Sequence, residues 1–270
     1  MSVNSVPTLE IRDGSGRLCG TYHYEDSFKS FFRGLYTPSG LNVVECPPPD
    51  HPHHKGLQFG LTCSDVNFWE ESLSAEPSNC QLAIGRQRTT KLQPLTPTQG
   101  NGFLQEVAWE KDGQTIFNEA RLITVQESPG AYVWTWRTTL FNATARNVTI
   151  ISSVWGANGN CGLSLGYCGL GLRLVREIFQ NAEISPAGIQ SGSIPPSVSF
   201  VGQFAGKGVK VTFAQDTSKQ QNALFITKYS PFDPDSFAYL SLGPTNLPPP
   251  KTLSPGGKLD ATYYVTVADV

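Results

Sequence analysis

Three of the chain's four histidines fall in one short stretch, Cys46-Pro47-Pro48-Pro49-Asp50-His51-Pro52-His53-His54-Lys55-Gly56. A neutral imidazole both donates and accepts a proton near pH 7, so paired histidines suit general acid–base chemistry. Pro47, Pro48 and Pro49 hold the chain extended, and Pro52 prevents a regular helix through the cluster. Side chains alternate along an extended chain, which predicts His51 and His53 on one face and His54 on the other, turned away to support them. Asp50 can orient one ring through a carboxylate–imidazole hydrogen bond, and Glu45 and Asp65 are further acids that can orient or polarise. The catalytic candidates are therefore His51, His53, His54, Asp65 and Glu45.

A metal reading competes, because His-x-His on a strand supplies two ligands. The position five after His53 is Gln58, however, and no histidine follows His54. A metal would need carboxylates such as Glu45, Asp65 or Asp233, and the expectation is that none is bound. Cys46 and Cys63 flank the cluster, which admits a Cys–His nucleophile. Gly169-Leu170-Gly171 lacks the strand–helix setting of a dinucleotide loop. No nucleotide, flavin or haem motif is present, so no cofactor is expected.

Other residue types suit ligand binding. Trp69 and Trp155 can stack on a sugar or other flat ring, whereas Trp134 and Trp136 share one face of a strand and read as core. Arg33 and Arg173 present rigid forks of donors for a carbonyl or carboxylate. Tyr167 and Tyr229 offer phenol groups. Lys55, Gln58 and Asn67 adjoin the cluster or Trp69 in sequence and complete the expected binding set.

These residues must be carried by strands. The chain has 270 residues, 39% hydrophobic but only 16% charged, with 26 glycines and 20 prolines in no period. That charge fraction is low against the usual ~25% and implies extensive burial. Period-two runs predict strands at 8–12, 19–24, 41–45, 58–63, 80–88, 102–110, 115–126, 132–142 and 148–154. Further runs lie at 170–175, 199–205, 207–214, 224–229, 239–242 and 258–267. Asp13-Gly14 and Asp112-Gly113 mark hairpins. A weak helical pattern covers 64–74, and 92–101, 185–196 and 244–257 read as loops. About fifteen short strands predict an all-β fold, a large antiparallel two-sheet β-sandwich formed by residues 1–270 as one domain.

A net charge of −2 without basic runs excludes a nucleic-acid or anionic-membrane binder. No apolar stretch approaches the ~20 residues of a membrane-spanning helix, and the N-terminus lacks the pattern of a secretory signal. A cytoplasmic location follows as the expectation, with the six cysteines reduced.

The stretch from Phe32 to Trp69 resembles the signature of the family labelled "methane oxygenase PmoA-like". Leu35, Thr37, Pro38, Ser39 and Gly40 match its P-L-x-T-P-S-G element. Asp50, His51, Pro52, His53, His54, Gly56, Leu57 and Phe59 match D-H-P-H-H-R-G-L-x-F, with Lys55 for Arg. Asp65, Val66, Asn67, Phe68 and Trp69 match D-V-N-G-x-D-F-W without its Gly and Asp. Tyr167 to Arg173 is similar to a later G-G-x-G-x-R strand. The resemblance implies a sandwich of the galactose-mutarotase type and a carbohydrate-like or polyoxygenated small-molecule substrate.

The leading expectation is a cofactor-free lyase or isomerase with His51 and His53 as acid and base. A biosynthetic cyclase shaping a reactive intermediate in an aromatic pocket is the alternative. A non-catalytic sugar-binding module is a third, and its affinity would survive loss of all three histidines.

Overall fold

Period-two alternation places nearly all regular structure of this chain in β-strands. The computed structural model describes residues 7–26, 28–48, 51–63, 65–71, 82–152, 166–227, 238–246 and 249–270. The first strands are β1 (Thr8–Arg12), β2 (Leu18–His23), β3 (Phe31–Leu35), β4 (Leu57–Gly60), β5 (Thr62–Cys63), β6 (Val66–Asn67) and β7 (Ala83–Ile84). Longer ribbons follow: β8 (Arg86–Pro94), β9 (Asn101–Lys111), β10 (Gln114–Ser128) and β11 (Ala131–Asn142). After β12 (Val148–Ile151) and β13 (Gly169–Arg173) comes the one described helix, α1 (Arg176–Asn181). The rest are β14 (Glu183–Ser185), β15 (Ser197–Phe204), β16 (Lys207–Gln215), β17 (Ala223–Ile226), β18 (Tyr239–Gly243), β19 (Lys251–Leu253) and β20 (Lys258–Asp269).

The strands form an all-β sandwich. One sheet runs β1-β2-β3-β4-β13-β18-β17, and the other runs β14-β15-β16-β20-β11-β10-β9-β8. Their facing side chains make one core: Phe32 meets Trp134 at 4.9 Å between ring centroids, and Phe59 meets Trp109 at 5.9 Å. Trp134 and Trp136 are core residues, as their shared strand face predicts. A third sheet, β19-β12-β5-β6-β7, departs from the two-sheet expectation and contains one parallel pair, β6 with β7. Among the described residues, no helix is long and apolar enough to cross a membrane.

Several local expectations are corrected. The run 58–63 is not one strand: it leaves the first sheet after Gly60, and Thr62 pairs with Ile151 in the third. Residues 41–45 make only isolated bridges, because the Asn42 Oδ1 accepts from the backbone N–H groups of Leu35 and Val44 (3.1 and 3.2 Å). Such side-chain bonds replace a ladder. Phe31–Leu35 is a strand outside the predicted runs, since burial of all its residues but Arg33 blurs the period of two. The described part of 64–74 is extended and turn-like, with no helix. The short strands β6, β14 and β19 and the helix α1 likewise leave too little periodicity to read.

The centre of the first sheet positions the site. Leu57 and Phe59 of β4, Leu170 and Leu172 of β13, and Leu240 and Leu242 of β18 face the core. The alternate positions, Gln58 and Gly60, Gly169, Gly171 and Arg173, and Tyr239, Ser241 and Gly243, therefore face the other way. All three strands are buried on both faces. The outer face is covered by a separate aromatic cluster of Trp69, Tyr167 and Tyr239, with Phe225 packed against it.

Candidate functional site

The four residues His51 to His54 close a turn in which the His54 N–H donates to the His51 carbonyl oxygen at 2.9 Å. Pro52 occupies the second position, where its fixed φ pre-sets such a turn. The turn overturns the extended-chain alternation. All three imidazoles lie together, with centroids 5.8 Å apart for His51–His53, 5.1 Å for His51–His54 and 4.4 Å for His53–His54. His54 is thus not turned away. Its ring is sandwiched between His51 (interplanar angle 12°) and Tyr239 (4.3 Å, 20°), while Tyr167 and Trp69 present edges at 5.5 and 6.0 Å. His51 and His53 are half-buried; His54 is buried.

Close packing onto glycines sets the floor. A Cβ at Gly60 would meet Trp69 at 2.7 Å, and one at Gly171 would meet the Tyr239 Oη at 2.1 Å and Trp69 at 2.8 Å. Both rings lie where side chains would otherwise stand. Gly56 (φ +51°) ends the histidine segment, and a Cβ there would meet the Phe32 carbonyl oxygen at 2.0 Å. Its own carbonyl accepts from the Arg173 N–H at 2.7 Å.

Buried cations tie the pieces together. Lys29, 1% exposed, donates to the His53 carbonyl at 3.0 Å and to the Trp69 carbonyl, and its Nζ sits 3.7 Å from Glu71. Glu71 also pairs with Lys55, which reaches Asp26, both at 2.9 Å. Sequence reasoning missed Lys29 and Tyr239. A lone Lys inside the aromatic run Phe28-Lys29-Ser30-Phe31-Phe32 was the available signal for the first. The second depends on the pairing of Arg173 with Tyr239 across β13 and β18, which sequence alone does not reveal.

The expected site residues divide. His51, His53, His54, Lys55, Gln58, Trp69, Tyr167 and Arg173 come together on this face, with Glu45 Oε2 3.3 Å from the Arg173 Nε. Asn67 supports the site from behind: its Oδ1 accepts from the N–H groups of Trp69 and Glu70 (2.9 and 3.2 Å) and holds the Trp69 backbone. Asp65 is instead in an ion pair with Arg146, with both side chains about half exposed, and Arg33 is exposed on β3. Asp50, Trp155, Tyr229 and Asp233 lie outside the described residues.

Burial controls the charges. Desolvation, helped by His53, His51, Lys29 and Arg173, holds the His54 pKa well below 6.5, so this ring is neutral at pH 7. Burial lowers Lys29 to about 8 although Glu71 opposes the shift. Burial alone would lower Lys55, but Glu71 and Asp26 outweigh it and raise the group. Tyr239 is pushed well above 10 by burial and stays a phenol. The Cys46 thiol is pushed up to about 12 by burial and Cys63 still higher, which keeps both as thiols near pH 7. Cys19, Cys46, Cys63 and Cys168 are free, and Cys80 and Cys161 lie outside the described residues. Among the described residues, no three His, Cys, Asp or Glu side chains are grouped to hold a metal ion.

The neutral state of His54 makes stability depend on pH. Unfolding restores the ring to its ordinary pKa of 6.5, so below that pH the unfolded chain binds a proton that the folded chain refuses. Stability conferred by this site is present above pH 6.5 and declines as pH falls. Relative to His54→Phe, the wild type is expected to lose up to about 1.4 kcal/mol per pH unit below pH 6.5. Urea unfolding of both proteins between pH 7 and 5 measures this; parallel curves would reject it.

Three solved structures illustrate the likeness of the chain to known proteins. An α-galactosidase from Geobacillus stearothermophilus is 13% identical with a TM-score of 0.49, the match covering 97% of this chain and 41% of that one. An α-galactosidase from Lactobacillus brevis is 10% identical with a TM-score of 0.46, covering 100% and 40%. A galactose mutarotase-like protein from Clostridium acetobutylicum is 9% identical with a TM-score of 0.43, covering 98% and 99%. The chain thus spans about two-fifths of the length of the galactosidases, and every score lies below 0.5. None of the curated proteins matches the sequence. Over residues 11–270 the chain matches, and belongs to, the family of unknown function DUF6807.

Proposed function

We propose that this protein is a lyase or isomerase acting on a carbohydrate-like or polyoxygenated small molecule, with His51 and His53 exchanging protons with the substrate. The observation that carries this reading is the packing of three imidazoles in one turn above an aromatic floor. A proton-transfer group must hold a charge for part of the cycle. His54, enclosed by rings and near two buried cations, disfavours that charge, whereas half-buried His51 and His53 share it with water. His54 therefore positions the pair and offers neutral hydrogen bonds. One of the outer rings removes a proton beside a carbonyl, and the other protonates the departing or carbonyl oxygen. Resemblance of residues 50–57 to the PmoA-like signature supports a role for this segment, and flat rings of Trp69, Tyr167 and Tyr239 suit the apolar face of a sugar.

The test is incubation of the purified chain in D2O with D-galactose, D-glucose and their uronic acids. Loss of C–H signals and formation of unsaturated product are followed by NMR. His51→Ala and His53→Ala are each expected to slow exchange by about 10²- to 10⁴-fold. Full exchange in both variants would reject the mechanism. The four-ring wall with Phe225 favours a second reading, a cyclase in which the histidines only polarise a carbonyl; product formed without deuterium would select it.

A further inference from the structure

Gln58 and Trp69 each carry a buried donor that the protein leaves without a partner. Gln58 is 1% exposed, and its Oε1 accepts from the Lys55 N–H at 3.0 Å. That bond fixes the amide orientation and leaves Nε2 with no hydrogen-bond partner among the described residues. Trp69 is 1% exposed, and its Nε1 is in the same condition. Leaving such a buried donor unsatisfied costs about 1–3 kcal/mol, so two together need an explanation.

The two residues are neighbours on the first sheet. Gln58 lies directly across from Gly171 in the β4–β13 register and two residues before Gly60. The Trp69 ring spans these glycines, approaching Cβ positions at both within 2.8 Å. Both groups are therefore on the outer face of the first sheet, beside Tyr239 and His54.

The chemistry on offer is donation. The one acceptor of the Gln58 amide is engaged by Lys55, and an indole has none. The cations of this region are also seated deeper than their acids. Side-chain exposure is 1% for Arg173 against 28% for Glu45, and 1% for Lys29 against 16% for Glu71. The acid Glu70 is buried near Lys29 as well. A sugar hydroxyl is a neutral acceptor and gains only neutral bonds from these donors. A carboxylate has only acceptor oxygens, and its bonds to these donors are charge-assisted.

We infer that the inner wall of the site is a carboxylate subsite, in which Gln58 Nε2 and Trp69 Nε1 donate to the acid group of a sugar acid. This deepens the reading of the histidine face as a ligand site and rests on it. It names the substrate class: a carbohydrate carrying a carboxylate.

Paired titrations of the full chain with D-galacturonate and D-galactose at pH 7, followed by 1H–15N NMR, test the subsite. The Trp69 indole signal is assigned by its loss in Trp69→Phe. Galacturonate is expected to move the Trp69 indole and Gln58 amide protons downfield in a saturable way. It is expected to bind about tenfold or more tighter than galactose, as a charge-assisted bond exceeds a neutral one. Gln58→Glu retains the acceptor for the Lys55 N–H but replaces the donor with an anion, so it should abolish the preference for the acid. Equal binding of the two sugars, no galacturonate-dependent shift at Trp69, or a preference that survives in folded Gln58→Glu would overturn the subsite. Turnover of neutral sugars alone would remove this inference and leave the proton-transfer mechanism standing. Acid binding with normal exchange in His51→Ala and His53→Ala would do the reverse.

Discussion

Arg121→Met is expected to destabilise the fold by about 3–5 kcal/mol, the cost of leaving a buried carboxylate without its partner. Arg121 is fully buried in the inter-sheet core and is held by five hydrogen bonds. Its Nε and Nη2 grip Glu119 in a fork at 2.8 and 2.7 Å. Its Nη1 donates to the Tyr22 Oη at 2.7 Å and to Gln105 at 3.2 Å, and Nη2 also reaches Gln87 at 3.3 Å. The guanidinium lies 4.6 Å from the centroid of the Trp136 ring. Glu119 also accepts from the Trp109 Nε1 at 2.8 Å and from the Thr138 hydroxyl. The network joins β2 of one large sheet to β8, β9 and β10 of the other. Urea unfolding at pH 7 measures the loss. The double variant Arg121→Met/Glu119→Leu removes both charges, and it should recover most of the stability because apolar replacement of a buried pair is often neutral. A double variant as unstable as the single one would show that the effect is lost packing, not the stranded charge.

Gly171→Ala is expected to disable the site while the sheets survive. The φ of Gly171 is an ordinary one, so the backbone accepts alanine. The added methyl would lie 2.1 Å from the Tyr239 Oη and 2.8 Å from Trp69, both fully buried. Neither ring has room to retreat, and the overpacking is expected to cost about 1–3 kcal/mol in stability. Tyr239 is the inner plate of the His51–His54–Tyr239 stack, so its displacement moves His54 and the turn above it. A shift of about 1 Å can cost 10²-fold in rate, and a loss of that order in histidine-dependent exchange is expected. Unchanged exchange in a folded variant would place the reacting groups elsewhere.

The long ribbons β9, β10, β11, β15, β16 and β20 were legible because each has one face in the core and one in water, which prints a period of two on the sequence. Strands near the site were harder. β3, β4, β13 and β18 are covered on nearly every side, so their patterns read as continuous small or apolar runs. In the same way, Glu119 and Arg121 stand at inward positions of β10, where charged residues signal a buried pair whose partners lie on other strands.

The amino-acid sequence alone determined that this chain is an all-β sandwich and singled out His51, His53 and His54 as the candidate centre. Both are local properties, of periodicity and of residue type within a few positions. It also contained the turn, since Pro52 sits where a turn wants it, although alternation predicted a different result. Only the tertiary structure decided which histidine is central. The stack on His54 requires Tyr239 from a strand almost two hundred residues away, a floor of two glycines on neighbouring strands, and Lys29 bridging the histidine turn to Trp69. Desolvation, which makes His54 neutral and leaves the Gln58 and Trp69 donors waiting, exists only once those elements close over one another.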